Sequence, residues 1–416
     1  MRRLKLLTIA SSFPFPADDG TKIQVFERVR ALSRLHDVTL LCVSSEPISQ
    51  ERIQAVERYC SCVFIRTPPY RAPSTAIEKT CQMVRSVWLR EPYYIHDRVA
   101  DEASCWLEQE VDSRGFDVVE ADCETSAYLR SPFRAVKVAI VHSVSDTSAR
   151  RERAVAAGVM RRATAQLYNV VTRWHQATLF RNVDLCVALT DEIQQDLHRL
   201  FPAARVRHCL SNGVDLEYFA YAPPCEPPTG ACFLGKMDYA PNVDAVLWFY
   251  HHVFPLVRAA LPAFRLSIVG GHPVDAVKAL ARDPAVDVTG YVDDVRTHVR
   301  RSGLMVLPMR MGGGILNKLL QSLALGVPVV ATSLSLEGVS AVPNRDLLVA
   351  DSAEAIAASV VRLATDRRLR LRLAANGRDY IEQTHRWSAV VARYSSELNT
   401  ILRERGTPGG TAMAFS

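Results

Sequence analysis

The sequence predicts an α/β protein built of two doubly wound domains, and three observations carry the prediction. Apolar runs of strand length alternate with helical periodicity along most of the chain. A proline-rich break around Cys225 divides that alternation into two similar halves. At 416 residues the chain also exceeds what one ordinary hydrophobic core organises, and two cores of about 200 residues suit it better.

Taken in order, Leu4 to Ala10 reads as a first buried strand, followed by a helix from about Gln24 to Leu35 and a strand from Val38 to Val43. This is a βαβ opening. Ala76 to Leu89 and Val99 to Val111 have amphipathic helical spacing, while Val118 to Glu120, Val138 to Val141 and Leu185 to Leu189 suit further parallel strands. The segment from Tyr221 to Gly230 carries four prolines, which deny it a regular element and make it a connection. A second alternation follows, with strands at Ala231 to Leu234, Arg265 to Val269, Val286 to Thr289, Leu304 to Leu307 and Val329 to Thr332. Helices around Ala353 to Thr365, Arg368 to Thr384 and Trp387 to Arg403 close the chain. Two doubly wound sheets facing each other gather strand carboxyl ends and helix N-termini around one cleft, a setting suited to a nucleotide-containing ligand.

Composition narrows the class. Hydrophobic content of 48% and charged content of 23% are those of a packed soluble protein, and a net charge of +6 does not point to nucleic acid. The ten cysteines are scattered without a CxxC pair, which reads as reduced thiols of a cytoplasmic protein; Cys60-Ser-Cys62 has no matching second pair for a metal. The N-terminus imitates a secretion signal, but its apolar run is too short, and no stretch of about 18 apolar residues offers a membrane span. Between Ser148 and Arg181 seven arginines face the single Glu152, with Leu167, Tyr168, Val171, Trp174 and Leu179 interleaved. That stretch reads either as a solvated helix face or as a patch for a membrane surface or an acidic acceptor.

The most informative segment runs from Leu304 to Thr332: strand, glycine turn, helix, strand. Gly312, Gly313 and Gly314 permit an otherwise strained backbone, and apolar spacing through Leu316, Leu319, Leu320 and Leu323 predicts a helix from Ile315 onward. Its first N–H groups, its positive dipole end and Lys318 in the first turn would form an anion cradle for a phosphate or pyrophosphate. The same residues also make an ordinary surface turn of a βαβ unit, and the rest of the chain decides between the two.

Six segments in order carry a resemblance: FPFPADDGTKIQVFERVRALSRLHDVTLL near the start, SNGVDLEYF at Ser211 to Phe219, FLGKMDYAPNVDAVLWF at Phe233 to Phe249, LSIVGGHP at Leu266 to Pro273, VTGYVDDV at Val288 to Val295, and the triple-glycine segment with its LALGVPVVAT tail. Together they resemble the family 4 retaining glycosyltransferases of the GT-B fold, in a subgroup with GGG, three residues and a lysine. The resemblance implies two Rossmann-like domains: an acceptor-side domain at 1–215, a linker at 216–230 and a nucleotide-sugar domain at 231–386, with a terminal helix at about 387–405 packing back onto the first. It implies transfer of a hexosyl or related group from a nucleotide-diphosphate sugar to a saccharide or lipid-linked acceptor, in polysaccharide or glycoconjugate synthesis. Peripheral contact with the inner membrane surface is a further implication.

A departing diphosphate must be neutralised by a metal on acidic residues or by protein dipoles and cations. No Asp-x-Asp motif occurs, so Lys236, Lys318 and the Gly312 to Gly314 helix start are expected to do so without metal or cofactor. By resemblance, Gly20 and Thr21 would let the first domain's backbone approach the phosphates, and Gly270 lies in the matching LSIVGGHP segment. His142 would hydrogen-bond the donor sugar or steady developing positive charge, and Tyr291 and Val292 would hold the base. The chain departs from the family at two positions. Where many relatives carry two glutamates eight residues apart, this chain has Gly313 and Gln321, and Leu316 stands where the GGG subgroup has arginine. A neutral amide accepts hydrogen bonds more weakly than a carboxylate, by about 1 kcal/mol. A catalytically silent GT-B binding protein and a sugar-nucleotide epimerase or phosphorylase therefore stand as alternatives. A dinucleotide oxidoreductase is disfavoured because no G-x-G-x-x-G follows the first strand.

Overall fold

A computed structural model describes residues 2–17, 19–66, 75–90, 92, 100–122, 125–142, 144, 159–224 and 227–406. The chain divides into two compact units, residues 1–211 with 390–416, and residues 212–389.

The first unit is a parallel sheet of β1 (Lys5–Ala10), β2 (Asp37–Ser44), β3 (Ser61–Arg66), β4 (Val118–Asp122), β5 (Val136–Val141), β6 (Leu185–Ala188) and the short β7 (Val206–Arg207), in the order β3-β2-β1-β4-β5-β6-β7. Its crossovers use α1 (Gly20–Leu32), α2 (Gln50–Glu57), α3 (Ala76–Leu89), α4 (Asp101–Ser113), α5 (Val159–Arg181) and α6 (Asp191–Leu200). Central strands are buried on both faces, from Leu6, Leu7 and Ile9 through Val138 and Ile140, which is why they read as continuous apolar runs. The order reverses direction between β1 and β4, and a ligand crevice forms where neighbouring crossovers leave on opposite faces.

The second unit repeats the plan. Strands β8 (Gly230–Leu234), β9 (Arg265–Val269), β10 (Val286–Gly290), β11 (Gly303–Leu307), β12 (Val329–Ala331) and β13 (Leu348–Val349) lie in the order β10-β9-β8-β11-β12-β13, all parallel. Around them run α7 (Ala240–Trp248), α8 (Phe254–Ala260), α9 (Asp275–Lys278), α10 (Val295–Ser302), α11 (Asn317–Leu325), α12 (Ala353–Thr365), α13 (Arg367–Thr384) and α14 (Trp387–Gly406). The period-2 rule sorts its core: Leu304 and Val306 face one apolar cluster with Phe233 and Ile268, while Met305 and Leu307 face the other with Cys232 and Leu319.

Several expected boundaries move. The first helix begins at Gly20, not near Gln24, because the Asp19 side chain accepts the Lys22 backbone N–H at 2.9 Å and caps it four residues earlier. The helix after the triple glycine begins at Asn317 instead of Ile315, with Leu316 still in extended geometry (φ −82°, ψ 106°). Strands β3, β7 and β13 were not expected. Val214 and Phe219, within or beside the expected linker, are buried in the second unit's core. Of the arginine-rich stretch, residues 148–158 lie outside the described set. No helix among the described residues is long and apolar enough to cross a membrane.

Helix α14 starts in the second unit and from Val390 belongs to the first. There Ser395 Oγ meets His36 Nε2 at 2.8 Å, and the buried Tyr394 hydroxyl donates to Glu120 Oε2 at 2.6 Å. Deleting that hydroxyl leaves a buried carboxylate short of a donor, so Tyr394→Phe should lower stability by about 1–3 kcal/mol in urea unfolding. A midpoint identical to the parent's would show that Glu120 does not depend on it.

Candidate active site

In the first unit the switch point between β1 and β4 holds a buried cluster of charges. Asp122 ends β4, and its pairing with Ile140 on β5 brings it beside His142, two residues further on. The His142 Nε2–H donates to Asp122 Oδ1 at 2.9 Å, since an ionised carboxylate can only accept. From α1, Arg28 reaches the same carboxylate with two donors at 3.3 and 3.1 Å, and its Nε lies 3.1 Å from Glu120 Oε1. Gln24, one turn earlier on the same helix face, accepts from Arg28 at 2.9 Å, and the Thr8 hydroxyl donates to Glu120 at 2.8 Å. Burial alone would raise the Asp122 carboxyl, but the Arg28 charge and the His142 bond outweigh it and hold the group well below the usual carboxylate range. Burial likewise works against the Arg28 charge, and the two carboxylates more than offset it. The outcome is an imidazole whose ring orientation is fixed through Nε2.

In the second unit the tips of β8, β9 and β10 are bound in a row: Gly235 N donates to Val269 O at 3.0 Å and Gly270 N to Gly290 O at 3.1 Å. The strands approach so closely that a Cβ on Gly270 (φ +146°) would lie 1.9 Å from Gly235 O. A Cβ on Gly235 would sit 2.7 Å from Asn242 Nδ2 and 3.0 Å from Lys318 Nζ. Only glycine leaves that space for the lysine. Lys318, in the first turn of α11, donates to Asn242 Oδ1 at 2.6 Å and lies 4.2 Å from the centroid of the Phe233 ring. Asn242 in turn donates to the Lys236 carbonyl at 2.9 Å. The residue is half-buried overall, but its ammonium is enclosed, and no acidic side chain pairs with it among the described residues. Burial therefore brings its pKa down to about 7, with only a small opposing effect from the Cys232 thiol.

The glycine loop above this lysine is held from both sides. Arg310 makes a bidentate pair with Asp244 on α7 at 3.0 and 2.6 Å, and Gly312 (φ +98°) passes close enough to Pro241 that a Cβ would touch it at 3.5 Å. Gly314 is also left-handed at φ +78°. Helix α11 starts without a side-chain cap; Leu319 N–H turns back to the Leu316 carbonyl at 2.9 Å, which leaves the Asn317 and Lys318 amides as the first-turn donors toward an anion.

The chain is similar to several known proteins. The family model described as glycosyl transferases group 1 matches residues 228–366, from just before β8 through α12. The GDP-mannose-dependent alpha-(1-6)-phosphatidylinositol monomannoside mannosyltransferase of Mycobacterium tuberculosis (strain CDC 1551 / Oshkosh) is 27% identical over 223 residues, 47% of this chain and 56% of the relative. The chain thus matches about half the length of that curated relative. Sucrose-phosphate synthase (tll1590) from Thermosynechococcus elongatus superposes over 96% of this chain and 100% of its own with a TM-score of 0.68 at 16% identity. Anabaena Alr3699/HepE, solved with UDP and glucose, covers 96% of this chain and 100% of its own with a TM-score of 0.62 at 12% identity. The fold is GT-B.

Within this GT-B chain the expected site residues fall into two groups. Gly270, Gly312, Gly313, Gly314 and Lys318 gather at the switch point of the second unit, and Gln321 lies one turn beyond Lys318 on α11. Lys236 contributes its carbonyl to that group, while its exposed ammonium faces Asp238 at 3.8 Å. Tyr291 follows β10 and is 65% exposed, whereas Val292 is partly buried against the core. Leu316, partly buried, also packs against the core. In the first unit His142 joins the charge cluster, and Gly20 and Thr21 are the exposed first residues of the helix that carries Gln24 and Arg28. Sequence reasoning missed Asn242, Asp122 and Arg28, whose roles appear only through partners far away in the chain.

A lysine whose native pKa is depressed binds fewer protons folded than unfolded between pH 7 and about 10, so stability rises with pH across that window. The Lys318→Met chain should lose that slope in urea unfolding series at successive pH values. An identical slope in both chains would place the titration elsewhere.

Proposed function

We propose that the protein is a retaining glycosyltransferase that moves a sugar from a nucleotide-diphosphate donor to a saccharide or lipid-linked acceptor. The observation that carries this reading is the enclosed Lys318 ammonium at the strand tips of the second unit, held by Asn242 and unanswered by any carboxylate among the described residues. A cradle of that kind favours an arriving diphosphate: the anion restores the lysine's charge, and the uncapped α11 start adds its amides. The group 1 match over this unit supports the same reading.

Lysine and peptide dipoles occupy the place that acidic residues would take around a metal, so neutralisation of the leaving diphosphate is assigned to the protein itself. Glycosyl transfer with retention then requires stabilisation of an oxocarbenium-like centre, and the His142–Asp122 pair supplies an oriented imidazole backed by a permanent negative charge. Tyr291 and Val292 are assigned to the nucleoside, and Gln321 to its ribose as a neutral acceptor. The named specificity of the mycobacterial relative and the UDP bound in the Anabaena protein make GDP- and UDP-sugars the first donors to test. Gln321 also favours a second reading, a donor-binding protein without transfer, which would bind these nucleotides and leave the sugar in place.

Titration calorimetry with GDP and UDP should give binding that weakens about 10- to 100-fold in Lys318→Ala, the loss of one charge-assisted contact. Unchanged affinity would remove the diphosphate from this cradle. In a transfer assay with an identified acceptor, Asp122→Asn should lower kcat more than donor KM, and EDTA should leave the rate unaltered. Nucleotide binding with no transfer to any of a panel of saccharide and polyprenyl-linked acceptors would favour the second reading.

A further inference from the structure

Helix α3 is amphipathic in the wrong direction for a globular protein. Ile77, Cys81, Val84 and Trp88 recur at i, i+4, i+7 and i+11, which places them on one stripe, and all four are exposed: Ile77 at 77%, Val84 at 64% and Trp88 at 81%. On the opposite face Ser86 is 2% exposed, the one buried side chain among the described residues of the helix. A capping box between Thr75 and Glu78 fixes the start of the helix, so the orientation is not a frayed end.

The stripe continues onto a neighbour. Helix α3 packs on α5, where Leu167 and Trp174, seven residues apart on one face, are also exposed. The Arg90 guanidinium stands 5.6 Å from the centroid of the Trp174 ring and ties the end of α3 to α5. On α3 the described exposed charges are Glu78, held in the capping box, and the cations Arg85 and Arg90. The sequence of α5 holds no acidic residue, and its described arginines, Arg173 and Arg181, are exposed, as are Arg85 and Arg90 beside the stripe.

We propose that this face of α3 and α5 is a docking surface for an anionic phospholipid bilayer. Aliphatic residues and a tryptophan on a convex helix, rimmed by arginines, match the boundary between headgroups and acyl chains, where indole rings settle and anionic headgroups attract the cations. A second copy of the chain does not fit the charges, because pairing the face with itself would set arginine-rich α5 against arginine-rich α5. The inference is independent of the donor cradle, which lies in the other unit.

Flotation of the full chain with vesicles tests it. The parent should float with mixed phosphatidylglycerol–phosphatidylcholine vesicles, stay behind with pure phosphatidylcholine, and detach at about 0.5 M salt. The Val84→Glu, Trp88→Glu double variant should bind about tenfold more weakly at unchanged circular dichroism. Should that variant fail to fold, lipids brominated in their acyl chains provide a second readout: they should quench tryptophan emission of the parent and do so less in Trp88→Phe. Equal flotation of parent and variant, equal quenching of parent and Trp88→Phe, or a parent that stays out of the anionic vesicle fraction overturns the proposal. So does a concentration-dependent dimer that the Trp88→Glu substitution dissolves, which would assign the face to a second copy, or capture by an acidic protein in place of lipid.

Discussion

An ammonium group enclosed without a counter-charge among the described residues is the constraint around which the strand tips of the second unit are arranged. A buried charge of that kind is costly, and the protein meets the cost by letting the proton leave, by one amide acceptor from Asn242 and by the face of Phe233. Every close feature of the site follows from the need to admit this side chain. Gly235 is bare where a Cβ would strike Lys318, Gly270 is bare where it would strike Gly235, and the loop carrying Gly312 is drawn onto Pro241 by the Arg310–Asp244 pair. The strand tips are therefore packed backbone against backbone, and the polarity of the cradle comes from peptide groups and one cation.

The first unit solves a similar problem with the opposite means. Arg28 is as deeply buried as any side chain in the molecule, yet Asp122, Glu120 and Gln24 answer it, and Thr8 and Tyr394 satisfy Glu120 in turn. In a network of buried charges tied together in this way, removing one partner would strand the rest in a low-dielectric interior. Its one opening is His142, a third exposed, which projects the order of the network to the protein surface. One unit thus encloses a lysine whose proton is loosely held, the other a cluster whose charges are fixed by their partners.

Much of this was legible along the chain. Buried parallel strands are apolar on both faces, so β1, β9 and β11 stood out as runs, and α3 and α12 were bounded correctly by their periodicity. Strand β3 was not visible, because at the sheet edge its Ser61 and Arg66 ends are exposed and its pattern is mixed. Strands β7 and β13, with two residues each, are too short for any period. Helix α1 began early because a single aspartate caps it, without the glutamate three residues on that makes such starts recognisable. At the candidate site, the glycines and Lys318 showed through local chemistry, since backbone freedom and charge belong to the residue itself. Asn242 and Asp122 did not, because each is defined by a contact 76 or 94 residues away, and nothing in an asparagine or an aspartate announces its partner.

The first unit is discontinuous in the chain, and α14 supplies its last piece. Tyr394 and Ser395 complete hydrogen bonds to β4 and to the turn before β2 from positions 274 and 359 residues downstream. On a ribosome, synthesis proceeding from the N-terminus would expose Glu120 and Arg28 long before the tyrosine emerges, while residues 212–389 appear as one uninterrupted segment able to collapse first. The first unit, begun before the second, is therefore finished after it, and any nascent chain stalled before Tyr394 carries an incomplete charge cluster in its interior.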